Sequence, residues 1–151
     1  GEIAFPGGRV APTDAGPRDA ALREAEEEVG LRREDLDRVA HLTDYTTYRG
    51  TTVCVYVAHA RGAPPTAPAS TDEVADVFLV PLADLLAPDA YEARRIDGME
   101  EGRRVHYWHV AGRIVWGITG EVTARFLERA CGWRAPARVR TVADISEFVP
   151  R

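Results

Sequence analysis

Residues 1–31 read GEIAFPGGRVAPTDAGPRDAALREAEEEVGL, and they join a double glycine, Gly7-Gly8, to a segment whose charges recur at helical spacing. Pro17 suits a first helical turn, where its missing N–H would have no partner anyway, and Gly30 suits the left-handed position just past a helix end. The spacing predicts a helix over 17–29. At roughly 100° per residue, Ala21, Leu22, Ala25 and Val29 share one side while Arg23, Glu24, Glu27 and Glu28 gather on the other. The apolar side is expected to pack, and the acidic side to face a cleft.

Like charges three and four residues apart destabilise a helix, and acids near its C-terminal end oppose the macrodipole. An acidic run alone is more often a solvated helix face. Here a Phe5-Pro6-Gly7-Gly8 turn, a spacer and the Arg23-Glu24 pair precede the acids, and a divalent cation would turn their repulsion into attraction. Hard cations such as Mg²⁺ take oxygen ligands and bind through one or two carboxylates plus substrate phosphates. Glu24 and Glu28, one turn apart, fit that requirement best.

These residues resemble the Nudix box, which runs Gly, five residues, Glu, seven residues, then Arg-Glu-apolar-any-Glu-Glu-any-Gly-apolar. Arg23 through Leu31 match its second half throughout. The first half departs: five residues separate Gly8 from Asp14, which stands in place of Glu, and eight residues separate Asp14 from Arg23. That Asp and the one-residue expansion resemble the coenzyme A pyrophosphatase branch of the Nudix hydrolases, as do Gly1 through Gly8 and the later Trp116-Gly117-Ile118-Thr119.

The resemblance implies that Glu24, Glu27 and Glu28, with the backbone carbonyl of Gly8, ligate Mg²⁺ or Mn²⁺. It also implies that Arg23 holds the glutamates by a salt bridge, and that Glu28 is a candidate to activate water. Many Nudix enzymes place the general base on a distant loop, and Glu73, Glu100 and Glu101 are loop acids of that kind. The implied reaction is metal-dependent hydrolysis of a phosphoanhydride in a nucleoside diphosphate derivative, with coenzyme A or acyl-CoA as substrate. Products would be 3′,5′-ADP and (acyl-)4′-phosphopantetheine. Open alternatives are another substrate (an ADP-sugar, a dinucleotide or an oxidised nucleotide) and a catalytically silent ligand-binding module. Homodimers are usual among such relatives.

A chain of 151 residues, 45% hydrophobic and 28% charged, has the size and composition of one domain able to bury a core. One Nudix domain over 1–151 is expected, with the box at about 8–31. All 19 basic residues are Arg, which reads as the codon bias of a GC-rich genome, and a net charge of −5 without a basic stripe argues against nucleic-acid binding. No run approaches the length of a membrane span. Cys54 and Cys131 have no partner at metal spacing, so a reduced, buried Cys54 in a cytoplasmic protein is expected. The chain opens in mid-motif, and a preceding strand is expected to lie before Gly1.

Beyond the box, stretches 39–48 and 51–60 flank Arg49-Gly50 as a hairpin. Residues 61–71 read as a mobile Pro/Ala/Thr loop, 74–80 as a buried strand, and Pro81 with Leu82, Leu85 and Leu86 as a short helix. Residues 87–102 read as an acidic loop, 103–110 and 113–115 as a second hairpin about Ala111-Gly112, and about 117–131 as a C-terminal helix. The tail from Trp133 has no clear period. Tyr45, Tyr48, Tyr107 and Trp108 at strand spacing belong more readily to a core than to a base-stacking site. The four histidines do not have the spacing of a shared metal site. Together these elements make an α/β class, a Nudix-type α/β/α sandwich with a mixed β-sheet.

Overall fold

The computed structural model describes residues 2–47, 49–96, 104–143 and 147. The chain divides into two compact units, Gly1–Leu79 and Val80–Arg151. Its helices, a hairpin and a mixed sheet bear out the α/β class.

In the first unit α1 spans Pro17–Val29, β1 Leu36–Thr46 and β2 Thr52–Ala60, with a single 3-10 turn at Arg33–Asp35. Gly30 ends α1 at φ 72°, and the N–H groups of Gly30 and Leu31 donate to the carbonyls of Glu26 and Ala25 at 3.0 and 3.1 Å. A residue with a Cβ would be strained there. The packed face of α1 is narrower than its pattern suggests: Ala20 and Ala25 are buried, whereas Ala21, Leu22 and Val29 are half-buried. β1 and β2 form the expected antiparallel hairpin, against which α1 packs through β2. β1 begins earlier than the pattern indicates, and the register shifts between Asp37 and Ala40, where Arg38 takes φ 51°. Tyr48 lies outside the described residues.

Two expectations for this unit are corrected. The loop at 61–71 is tied down: the Ala69 N–H donates to the Glu28 carbonyl at 3.0 Å and the Arg61 N–H to the Asp35 carbonyl at 2.7 Å. Carbonyls at a helix end need such donors, and a loop that supplies one is anchored by it. Residues 74–80 form no strand: among the described residues no ladder partner pairs with them, and Leu79 is 49% exposed. A short apolar run does not reveal its pairing.

In the second unit α2 is one turn, Leu82–Leu85, followed by β3 (Tyr91–Ile96), β4 (Val105–Val110), β5 (Arg113–Val115), α3 (Gly117–Cys131) and β6 (Arg140–Val142). The sheet order is β5-β4-β3-β6, with β3 antiparallel to β4 and parallel to β6. This is the mixed sheet expected of a Nudix-type fold. Ala111 and Gly112, at φ 51° and 69°, make the two-residue turn between β4 and β5, the conformation that matches strand twist.

The core of this unit is Tyr107, Trp108 and Leu127, all fully buried, with Ala93, Val110, Val122 and Ala124 around them. The Trp108 indole N–H donates to the Gly120 carbonyl at 3.1 Å. A Cβ on Gly120 would overlap the His106 carbonyl oxygen, so α3 packs against β4 at a separation that only glycine permits. Tyr107 and Trp108 are core residues, as their strand spacing indicates.

The expected acidic loop at 87–102 is corrected in part, since Tyr91–Ile96 is a strand paired on both edges. Its charges hide the pattern because they neutralise each other in place: Arg94 holds the Glu92 carboxylate at 3.0 and 2.9 Å. β6, in the tail that showed no period, forms only through its pairing with β3. No helix among the described residues is long and apolar enough to cross a membrane. Both cysteines are free, Cys54 being half-buried and not fully enclosed, and Cys131 exposed.

Candidate functional site

The Phe5-Pro6-Gly7-Gly8 turn meets the acidic side of α1. The Gly7 N–H donates to Glu28 Oε2 at 3.0 Å. Gly8 lies against the Glu24 carboxylate, in space that a Cβ would share with Glu24 Oε1. Glycine is needed at position 8 for this close approach and not for a special backbone angle. Glu24 and Glu28, one turn apart on the helix, are thereby both brought to the double glycine.

Arg23 organises the rest. Its Nη1 contacts Glu24 Oε1 and Glu27 Oε2, each at 2.9 Å, so the repulsion expected along this face is relieved by one guanidinium. Its Nε and Nη2 hold Asp14 Oδ1 and Oδ2 at 3.0 and 3.1 Å, and Nη2 also donates to the Arg9 carbonyl at 3.1 Å. Asp14 accepts the Ala11 N–H at 2.7 Å as well, and its side chain is only 3% exposed. Bidentate pairing of this kind is strong and directional. The Arg23 hydrogen bonds first, then the Ala11 N–H, hold the Asp14 carboxyl below the usual carboxylate range. Asp14, then Glu24, raises the Arg23 pKa in return.

All donors on this face are oxygens, the carboxylates of Glu24, Glu27 and Glu28 with the Gly8 backbone, and such a set suits a hard divalent cation. Among the described residues no group of three His, Cys, Asp or Glu is gathered closely enough to hold an ion. Mg²⁺ needs no such cage, since substrate phosphates and water commonly complete its shell. Glu24 is 15% exposed and Glu27 57%, so the set runs from a sheltered carboxylate to a solvated one.

The contacts are pairwise: Gly8 meets Glu24, Gly7 meets Glu28, and Arg23 links Glu24 to Glu27. Glu73 sits on an exposed turn of the same unit, while Glu100 and Glu101 lie outside the described residues. Sequence reasoning singled out Asp14 as a departure from the motif but assigned it no role. The signal was present, because Asp14 and Asp19 are the two carboxylates between Gly8 and Arg23, and Asp14 is the one that stands at the acid position of the motif. The histidines serve elsewhere: His106, buried in the second unit, contacts Glu121 at 3.2 Å and Tyr91 at 2.9 Å, and exposed His41 pairs with Asp44 at 2.8 Å.

The NUDIX domain family model matches residues 1–99. An uncharacterized Nudix hydrolase, NudL of Cronobacter sakazakii, is 39% identical over 124 residues, covering 81% of this chain and 63% of that protein. NudL of Escherichia coli K12 is 37% identical over the same shares. The peroxisomal coenzyme A diphosphatase NUDT7 of Mus musculus is 40% identical over 99 residues, covering 64% of this chain and 40% of that protein. The chain thus spans less than two thirds of the length of these relatives.

Proposed function

Since the chain belongs to the NUDIX domain family, we propose that it is a pyrophosphohydrolase that splits a phosphoanhydride bond with the help of a divalent cation, Mg²⁺ or Mn²⁺. The observation that carries this reading is the convergence of Glu24 and Glu28 on the Gly7-Gly8 turn. Glu24, Glu27, Glu28 and the Gly8 carbonyl would hold the cation, which neutralises diphosphate oxygens and lowers the pKa of a bound water.

The protein's own part is to hold and orient. Arg23 keeps Glu24 and Glu27 in register, and the Gly7 N–H fixes one oxygen of Glu28, orienting the carboxylate to accept a proton from the attacking water. The water oxygen bonds to phosphorus, the bridging P–O bond breaks, and its electron pair leaves with the second phosphate. Glu73, in the same unit, is the described alternative for the base.

For substrate we propose coenzyme A or its acyl thioesters, cleaved to 3′,5′-ADP and (acyl-)4′-phosphopantetheine. Two features support this choice: Asp14 with its expanded spacer, and the likeness to a protein named as a coenzyme A diphosphatase. The family match continues through the boundary between the two units to residue 99, which supports treating both as one domain. A cytoplasmic setting and a homodimer belong to the same proposal.

The test is to incubate the purified protein with Mg²⁺ or Mn²⁺ and coenzyme A, acyl-CoA, ADP-ribose, NADH and nucleoside triphosphates, and to resolve the products by chromatography. Release of 3′,5′-ADP from coenzyme A is expected, and Glu28→Gln should abolish it with little change in melting temperature. Turnover confined to another substrate would discard coenzyme A, and an unchanged Glu28→Gln rate would refute the site.

A further inference from the structure

The Asp14 side chain is more enclosed than those of Asp19, Glu24 and Glu27, and both of its oxygens are occupied. Oδ1 accepts from Arg23 Nε, and Oδ2 accepts from Arg23 Nη2 and the Ala11 N–H. With its side chain 3% exposed, it presents no free oxygen to a cation or a substrate. A ligand role is therefore closed to it, and its influence has to pass through Arg23.

Arg23 stands between two demands. Its Nε–Nη2 edge faces Asp14, and its Nη1 touches Glu24 and Glu27, two of the carboxylates read here as cation ligands. A guanidinium free to give its whole charge to those carboxylates would compete with a metal ion for them. An arginine already paired on its other edge competes less. From this arrangement we infer that Asp14 is a positioning residue: by holding the Nε–Nη2 edge of Arg23 it keeps the guanidinium at the rim of the acidic cluster and leaves Glu24 and Glu27 available to a divalent cation.

The inference also accounts for the altered spacing. The Asp14 N–H donates to the Ala11 carbonyl at 3.0 Å while its carboxylate accepts the Ala11 N–H, a closed turn that fixes where the side chain starts. The short aspartate reaches Arg23 from that turn. Gly16, at φ 152°, then takes the chain into α1, so the extra residue and the shorter acid form one compensated unit. Outer partners that orient ligands commonly change metal affinity about 10- to 100-fold when removed.

The inference rests on the reading of the α1 acids as a cation site, and the experiment separates the two. Mn²⁺ alone is titrated into metal-free full chain, and free Mn²⁺ is followed by its electron paramagnetic resonance signal, for wild type, Asp14→Asn, Arg23→Gln and the double variant. Wild type is expected to bind, and Asp14→Asn to bind roughly 10-fold more weakly. In the Arg23→Gln background, Asp14→Asn should change affinity by less than about twofold, because the intermediary is gone. An equal loss in both backgrounds, or no loss in either, overturns the inference while leaving the cation site standing. Absence of Mn²⁺ binding by wild type overturns both. Should Asp14→Asn not fold, Asp14→Ser, smaller than aspartate and uncharged, is expected to show the same roughly 10-fold loss; Mn²⁺ binding like wild type in that variant overturns the charge-sharing role.

Discussion

The backbone of Gly8 and the carboxylate of Glu24 occupy adjoining space, so close that a Cβ on Gly8 would coincide with the Glu24 side-chain terminus. The obstacle is the end of a flexible side chain and not backbone, and Glu24 can yield by changing rotamer. Gly8→Ala should therefore leave the melting temperature nearly unchanged while displacing Glu24 from Arg23 and from the turn. Metal-dependent turnover is expected to fall roughly 10- to 100-fold, as small misplacements of an active group commonly cause. Steady-state kinetics beside a thermal melt checks both halves, and a variant that melts early but turns over normally would contradict this account.

Gly120 presents the opposite case. A Cβ there would meet the His106 carbonyl oxygen, and both sides of the contact are backbone in α3 and β4. Neither can move without disturbing the Trp108–Gly120 hydrogen bond. Gly120→Ala should destabilise the protein by about 1–3 kcal/mol, the usual scale of core overpacking, as measured by urea denaturation.

Burial is the main cause that pushes the Tyr107 hydroxyl from its ordinary 10 up to about 12. A neutral form favoured by folding contributes stability that is fully present below the unfolded pKa and lost as pH rises through the folded one. The loss should thus run between pH 10 and about 12. Tyr107→Phe is expected to flatten the fall of melting temperature across that interval, and an unchanged alkaline profile would show that Tyr107 is not responsible.

Glu121 behaves in the reverse sense. The hydrogen bond from His106, with Arg125 beside it, holds its carboxyl below the usual range against the effect of burial. A depressed carboxylate contributes stability above its unfolded pKa, about 4.3 for Glu, and loses it as pH falls through the folded value. Glu121→Gln should be less stable than wild type at neutral pH and approach it below about pH 4. Melting curves from pH 3 to 7 test the convergence.

The site was more legible in the sequence than the fold around it. α1 could be read to its ends because Pro17 and Gly30 act locally, and the acid spacing set which carboxylates share a face. The two hairpins were readable for the same reason, with Gly50 and Gly112 at their turns. β3 and β6 were not, because a strand rich in charge such as Tyr91–Ile96 is recognisable only by the partners that flank it. The apolar run at 74–80 erred the other way: it had strand composition without a strand to join.

The sequence by itself determined the helix, its acidic face and the family to which that face belongs, since helical periodicity and end signals are properties of neighbouring residues. Only the tertiary structure decided that Asp14 is enclosed beneath Arg23, that Glu24 rests on Gly8, that the loop carrying Ala69 closes on Glu28, and that β6 completes the sheet. Each of these joins residues distant in the chain, and their distances depend on how intervening segments pack, which no local spacing encodes.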